Sequence, residues 1–211
     1  MSTERIKLGK FDKMPIIGVS LHCFLNHLRK KGDYTEDELE VIEYYYLARL
    51  GDVEKFLWIS VIFAFISIQA LPILLVTSVL VLSVRQLSGG FHSRSTWGCF
   101  AWTLLAFLLA IFVLPLLEIN GVGVTVISVF SVSTAYRCSP IRSADREPYI
   151  DKRQDKKLKY MATTLTALWL APAFFYPNHV LIAPVMWAVF LQNVQLLIEY
   201  YKRKHDRTEQ T

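Results

Sequence analysis

The sequence predicts an all-α fold: a polytopic helical membrane protein of about six transmembrane helices, preceded by amphipathic or interfacial helices. Three observations carry this. The 211 residues are 53% hydrophobic and 13% aromatic. The apolar residues are bunched: 56–84 holds no charged side chain, and 100–117 and 160–199 are nearly as apolar. Uncharged stretches of ~18 or more residues read as bilayer-spanning helices. The basic residues fall mainly between these runs, where they set orientation.

Residues 1–211 read as a single integral membrane domain. Residues 1–55 form cytoplasmic or interfacial helices. Residues 56–200 form the bundle, with cytoplasmic loops at 85–97 and 137–159, and 201–211 is a cytoplasmic tail. The first twelve residues carry Glu4, Arg5, Lys7, Lys10 and Asp12, which predicts no cleavable signal peptide. The net charge of +5 lies in loops beside the apolar runs, which suits anionic headgroups, and no nucleic-acid partner is expected.

The elements follow in order. In 14–32, Met14, Ile17, Leu21, Phe24, Leu25 and Leu28 make one apolar stripe at helical spacing, followed by Arg29, Lys30 and Lys31. Such a helix lies in the interface plane or packs on the bundle. Thr35 opens a second helix: with Glu38 it matches a capping box, and Glu36, Asp37 and Glu38 sit in the positive first turn. That helix runs to Gly51, and another begins near Asp52. As one helix, 56–84 would span ~43 Å, too long for a ~30 Å core. Lys55 precedes the run and Arg85 follows it, so the chain should return to the side it left. A short hairpin is predicted, turning near Gln69 and Pro72.

Residues 97–117 then lead out to Glu118 and Asn120, and 121–136 lead back. Residues 137–159 hold Arg137, Arg142, Arg146, Lys152, Arg153, Lys156, Lys157 and Lys159, a cytoplasmic loop. Residues 160–176 go out to the Tyr176-Pro177-Asn178 turn, and 179–200 return to Lys202, Arg203 and Lys204. Both termini are then inside. Trp58, Trp97, Trp102, Tyr136, Tyr160 and Tyr176 fall near the predicted ends, as in an aromatic belt.

The segment RQLSGGFHSRSTWGC, 85–99, concentrates reactive side chains at one lipid boundary. Gly89 and Gly90 admit backbone conformations closed to other residues. His92 can serve as a general base near neutral pH, and Cys99 as a nucleophile once it is a thiolate. Arg85 and Arg94 supply positive charge that favours the thiolate and can steady an oxyanion. On a straight helix His92 and Cys99 would lie ~10 Å apart along the axis. A working pair within one chain therefore needs a break, which Gly90 and Gly98 permit. Alternatively, His92 of one subunit meets Cys99 of another.

Plainer roles compete for the same residues. A cysteine in a membrane helix is usually a small packing residue, and a histidine usually a solvated one. Cys23 and His27, with His22 beside them, face each other at i, i+4 but lack enough neighbours for a metal site. Cys138 opens the basic loop with no partner histidine in sequence. No metal or cofactor is expected.

The spacing Arg85-x4-Gly90-x-His92-x6-Cys99 resembles that of the AgrB family of accessory gene regulator membrane endopeptidases. RCSPIRSADREPYIDKRQDKKLKYM is similar to that family's second cytoplasmic loop, and the amphipathic start and tyrosine-rich helix also fit. The resemblance covers nearly the whole chain. It implies a cysteine endopeptidase of the cell membrane with Cys99 as nucleophile, His92 as base, and Arg85 and Gly90 at motif positions. The implied partner is an AgrD-type propeptide with an amphipathic leader, a core cysteine and an acidic tail. Cleavage through a thioester and closure to a thiolactone, the autoinducing peptide, would follow. The family also implies a homodimer, towards which Ala106 and Ala110 offer a weak small-residue face. The family's loop can carry lysines where SADRE stands here. The competing functions are a peptide exporter, a non-catalytic scaffold or sensor, and a plain hydrolase releasing a linear peptide. An exporter would want ionisable groups at mid-membrane, and the spans show almost none.

Overall fold

The computed structural model describes residues 24, 26–30, 35–89, 96–141 and 152–208, all-helical with connecting turns and no strand. Among the described residues, four helices are long and apolar enough to cross a membrane: Ile68–Ser88, Trp97–Leu116, Gly121–Cys138 and Ile182–His205. The sequence led us to expect six crossings. The two further apolar arms, 56–66 and 160–170, rise only about 16 Å each at ~1.5 Å per residue, roughly half a bilayer core. Four of the six expected segments thus have spanning length among the described residues, and the other two are shorter apolar arms.

Helix α1 covers Glu36–Ile66. Leu39 donates to the Thr35 carbonyl at 3.0 Å, which puts the helix start at the residue the capping pattern indicated. The expected boundary at Gly51–Asp52 is absent, and α1 runs straight through it. A glycine costs a helix interior only about 1 kcal/mol, too little to break a helix otherwise supported on both sides. The chain turns at Ser67, whose backbone is extended, and passes through the 3-10 turn Ile68–Ala70 into helix α2, Leu71–Ser88. Pro72 sits in the first turn of α2, where its missing N–H is no loss. Ile59 and Phe63 of α1 share an apolar cluster with Ala70 and Leu74 at the turn and Phe107 and Ile111 beyond it. The predicted hairpin is formed, about the predicted turn.

Helix α3, Thr96–Leu108, widens into a π turn over Leu109–Val113 and tightens into a 3-10 turn over Leu114–Leu116. Pro115 explains the change of winding, because its ring collides with the carbonyl four residues back in a regular helix. Asn120 caps helix α4, Gly121–Cys138, by accepting from the Gly123 N–H at 2.9 Å. Helix α5, Lys152–Leu170, is followed after Ala171 by the short α6, Pro172–Phe175. The turn at Tyr176–Asn178 is where the sequence placed it, with His179 donating to the Tyr176 carbonyl. Helix α7 runs from Ile182 to Thr208, so helix extends well into the expected tail.

Helix α7 is the axis of the bundle. In its spanning window 56% is buried, against 22% for Trp97–Leu116. Its Val185, Met186, Trp187, Ala188 and Val189 pack with Leu80, Ala110, Val124 and Leu170 of the surrounding helices. Ala110 is fully buried there, whereas Ala106, the other residue of the small-residue face, is half-buried. The six belt aromatics are all exposed. Of the 14–32 stripe, Phe24 and Leu28 are half-buried, while Asn26, His27, Arg29 and Lys30 are exposed, an amphipathic arrangement as predicted.

Candidate active site

Cys99 lies in the first turns of α3, 8% exposed, as a free thiol. The N-terminus of a helix presents unpaired N–H groups and the positive end of its dipole, so this position suits negative charge. Two cations reach the sulfur. Lys55 Nζ is 3.8 Å from Sγ and Arg85 Nη2 is 4.0 Å from it. They arrive from the two arms of the hairpin, Lys55 at the foot of one and Arg85 in the last turn of the other. The α1–α2 turn thus brings residues 44 and 14 positions away to one atom. Thr103 Oγ1 donates to the Cys99 carbonyl at 2.8 Å and fixes this stretch of α3.

The turn after α2 is tied down on several sides. Gly89 donates to the Arg85 carbonyl at 2.9 Å and ends the helix at φ 78, ψ −164. This region of backbone space is essentially reserved for glycine. Ile141, just past α4, donates to the Ser88 carbonyl at 2.8 Å. Gln192 of α7 donates to the Gly89 carbonyl at 3.1 Å. A Cβ on Gly89 would overlap the Ile141 carbonyl oxygen. Gly89→Ala is therefore expected to destabilise the folded protein by about 1–3 kcal/mol from the backbone alone, with further loss from displacing Ile141. A thermal melt of the detergent-solubilised protein checks it, and an unchanged melt refutes it.

Of the residues singled out from sequence, Arg85 and Cys99 meet, and Gly89 holds the turn between their helices. His92, Gly90 and Arg94 lie outside the described residues, as do His22 and Cys23. Among the described residues no group of three His, Cys, Asp or Glu side chains could hold a metal. Cys138 is buried at the end of α4. Sequence reasoning missed Lys55, reading it only as a topology marker. The signal was present: a hairpin bounded by Lys55 and Arg85 must bring both to one end. It also missed Glu54, 3% exposed, whose two carboxylate oxygens have no hydrogen-bond partner among the described residues.

The arrangement offers a thiol with two cations near its sulfur, beside a glycine turn against which Ile141 packs closely. The fold and site define a class: a polytopic helical membrane protein with a buried thiol at the head of a spanning helix, between two cations. The chain belongs to the accessory gene regulator B family, AgrB, whose sequence profile matches residues 21–196. Two relatives have names that describe them as AgrB-like. One, from Clostridium beijerinckii, is 27% identical over 162 residues, covering 74% of this chain and 76% of its own. The other, from Clostridium perfringens (strain 13 / Type A), is 24% identical over 177 residues, covering 75% of this chain and 94% of its own. No solved structure matches the chain.

Proposed function

We propose that this protein is a membrane-embedded cysteine endopeptidase of a quorum-sensing system. It removes the C-terminal tail of an AgrD-type propeptide and promotes closure of the remaining core to a thiolactone. The single observation that carries this reading is the Cys99 sulfur, placed between Lys55 and Arg85 in a chain of this family. The basic residues of 137–159 and 202–204 argue for a plasma-membrane orientation with Cys99 and both termini facing the cytoplasm. A homodimer is part of the proposal, and it leaves His92 two routes to the sulfur, within one chain or from the second copy.

The chemistry runs in two acyl transfers. His92 takes the proton from Cys99, and the sulfur attacks the carbonyl between core and tail. The C–N bond breaks, the tail's new amine takes the proton from His92, and the core is left as a thioester on Cys99. The core's own cysteine then gives its proton to His92 and attacks the thioester carbonyl. The thiolactone forms, and Cys99 leaves as thiolate and recovers the proton. Lys55 and Arg85 hold negative charge at sulfur and on the tetrahedral oxyanion. Ring closure is intramolecular and gains from proximity. An amphipathic leader concentrates the propeptide at the headgroup boundary, where the site lies.

Incubating the protein in vesicles with the propeptide encoded beside it, and weighing the product, tests the reading. The expected product is lighter by one water than the linear core. A linear core alone marks a plain hydrolase, and an intact propeptide refutes the peptidase reading.

A further inference from the structure

Helices α2, α3 and α7 do not close completely where they meet beside the thiol. They leave a crevice of about 20 Å³, room for a group of about the size of one water. Two of its walls already belong to the site. Arg85 lies 4.0 Å from the Cys99 sulfur, and Thr103 donates to the Cys99 carbonyl from one turn, about 6 Å, further along α3. Gln192 and Gln195 border the same space from one face of α7. Four hydrogen-bonding side chains therefore meet within a bundle whose core is otherwise packed from apolar residues. Phe107 and Ala188, both buried, and Ala106 complete the wall. The acyl transfers proposed above leave this space unused.

We infer that this crevice is the subsite for the last residue of the propeptide core, the one whose carbonyl Cys99 attacks, and that it selects a short hydroxyl side chain, serine or threonine. This inference rests on the function proposed above. The attacked carbonyl must stand at the sulfur, so the side chain next to it starts a few bonds away, where Arg85 forms the near wall. The tail side of the bond fits poorly. An acidic tail keeps its carboxylates in water, because a buried charge is costly unless paired. A leucine or phenylalanine side chain could enter only if the three helices parted, which a packed interior resists. The hydroxyl hydrogen of Thr103 is committed to the Cys99 carbonyl, which leaves its oxygen as an acceptor. The amide of Gln195 both donates and accepts. Gln192 is held by its bond to the Gly89 carbonyl at 3.1 Å and forms a fixed wall. A substrate hydroxyl, itself donor and acceptor, satisfies Thr103 and Gln195 together, whereas a methyl in its place satisfies neither. Gln195 is thereby the residue that determines specificity.

The test uses the full-length protein in vesicles with the propeptide encoded beside it, changed only at the last core residue to threonine, valine, serine or phenylalanine. Each preparation receives a pair of peptides, so the ratio of their kcat/KM values does not depend on how much protein is folded. Wild type should prefer threonine to valine, equal in shape but lacking the hydroxyl, by about 10- to 100-fold, and serine to phenylalanine by at least as much. Gln195→Met keeps the length and loses the amide. Its threonine-to-valine ratio should fall to within about threefold, through loss on the threonine peptide alone. A side chain that merely filled space would lower both peptides together. Equal rates on threonine and valine in wild type overturn the inference, as does a Gln195→Met protein that keeps the wild-type ratio. A second measurement needs no turnover. In Cys99→Ala carrying Ala106→Cys, a thiol reagent labels position 106 at the crevice wall, read by mass. The threonine peptide should slow that labelling by at least about threefold more than the valine peptide. Equal protection by the two overturns the inference. A wild type no more active than Cys99→Ala on all four peptides overturns the peptidase reading itself, and protection at position 106 then still decides whether the crevice takes the hydroxyl side chain.

Discussion

Cys99→Ala is expected to abolish propeptide cleavage, with a loss of at least about 10,000-fold in kcat. The size follows from the proposed role: with no sulfur there is no acyl-enzyme, and the remaining groups can only polarise a carbonyl. The same variant should show no mass increase corresponding to a bound core peptide, whereas wild type quenched early in turnover should. The chain's other cysteines provide the controls. Cys138 is buried at the end of another helix, and Cys138→Ala should cleave at a wild-type rate. A Cys99→Ala protein that still cleaves while Cys23→Ala does not would falsify the site.

Lys55→Met with Arg85→Met should cost about 1,000-fold in kcat/KM, and each alone about 10- to 100-fold, the scale of removing single charged donors from an anionic intermediate. At ~4 Å and an effective dielectric of ~20, one cation attracts a unit anion by about 4 kcal/mol before its own desolvation is counted. Neither cation is exposed, so screening by salt removes only part of this. Rates of Cys99 alkylation by a small neutral reagent separate two uses of the charge. If the cations serve the sulfur, alkylation falls together with cleavage. If alkylation stays at the wild-type rate while KM rises, they serve a substrate carboxylate instead, and the assignment to sulfur is wrong. Arg85→Lys should fall between wild type and Arg85→Met, since an ammonium keeps the charge but not the reach of the guanidinium.

Much of the fold was legible because charge and apolarity mark it directly. The hairpin turn near Pro72, the Asn120 region and the Tyr176–Asn178 turn all stand where uncharged runs meet polar residues. The Gly51–Asp52 boundary failed because a local propensity of about 1 kcal/mol was weighed as a stop signal. The count of crossings was legible only in part: among the described residues, four of the six expected segments are of spanning length. Alternating basic ends fix which side a segment returns to, but not whether its apolar length reaches across. At the site, Cys99 and Arg85 were readable from their chemistry and nearness in sequence. Lys55 and Gln192 were not, because each is a polar residue at or within an apolar helix. Only the packing of that helix says what it faces. Ala110 shows the converse: a small residue tells that something packs closely, not which helix does.

The position of α7 in the bundle bears on how the protein is made. The helix most surrounded by others is also the last of the described helices to leave the ribosome. A nascent chain halted before Ile182 already contains the thiol and both cations, yet it has neither its central helix nor the amide that holds the Gly89 turn. Assembly of the proposed site is thereby postponed until α7 has been made.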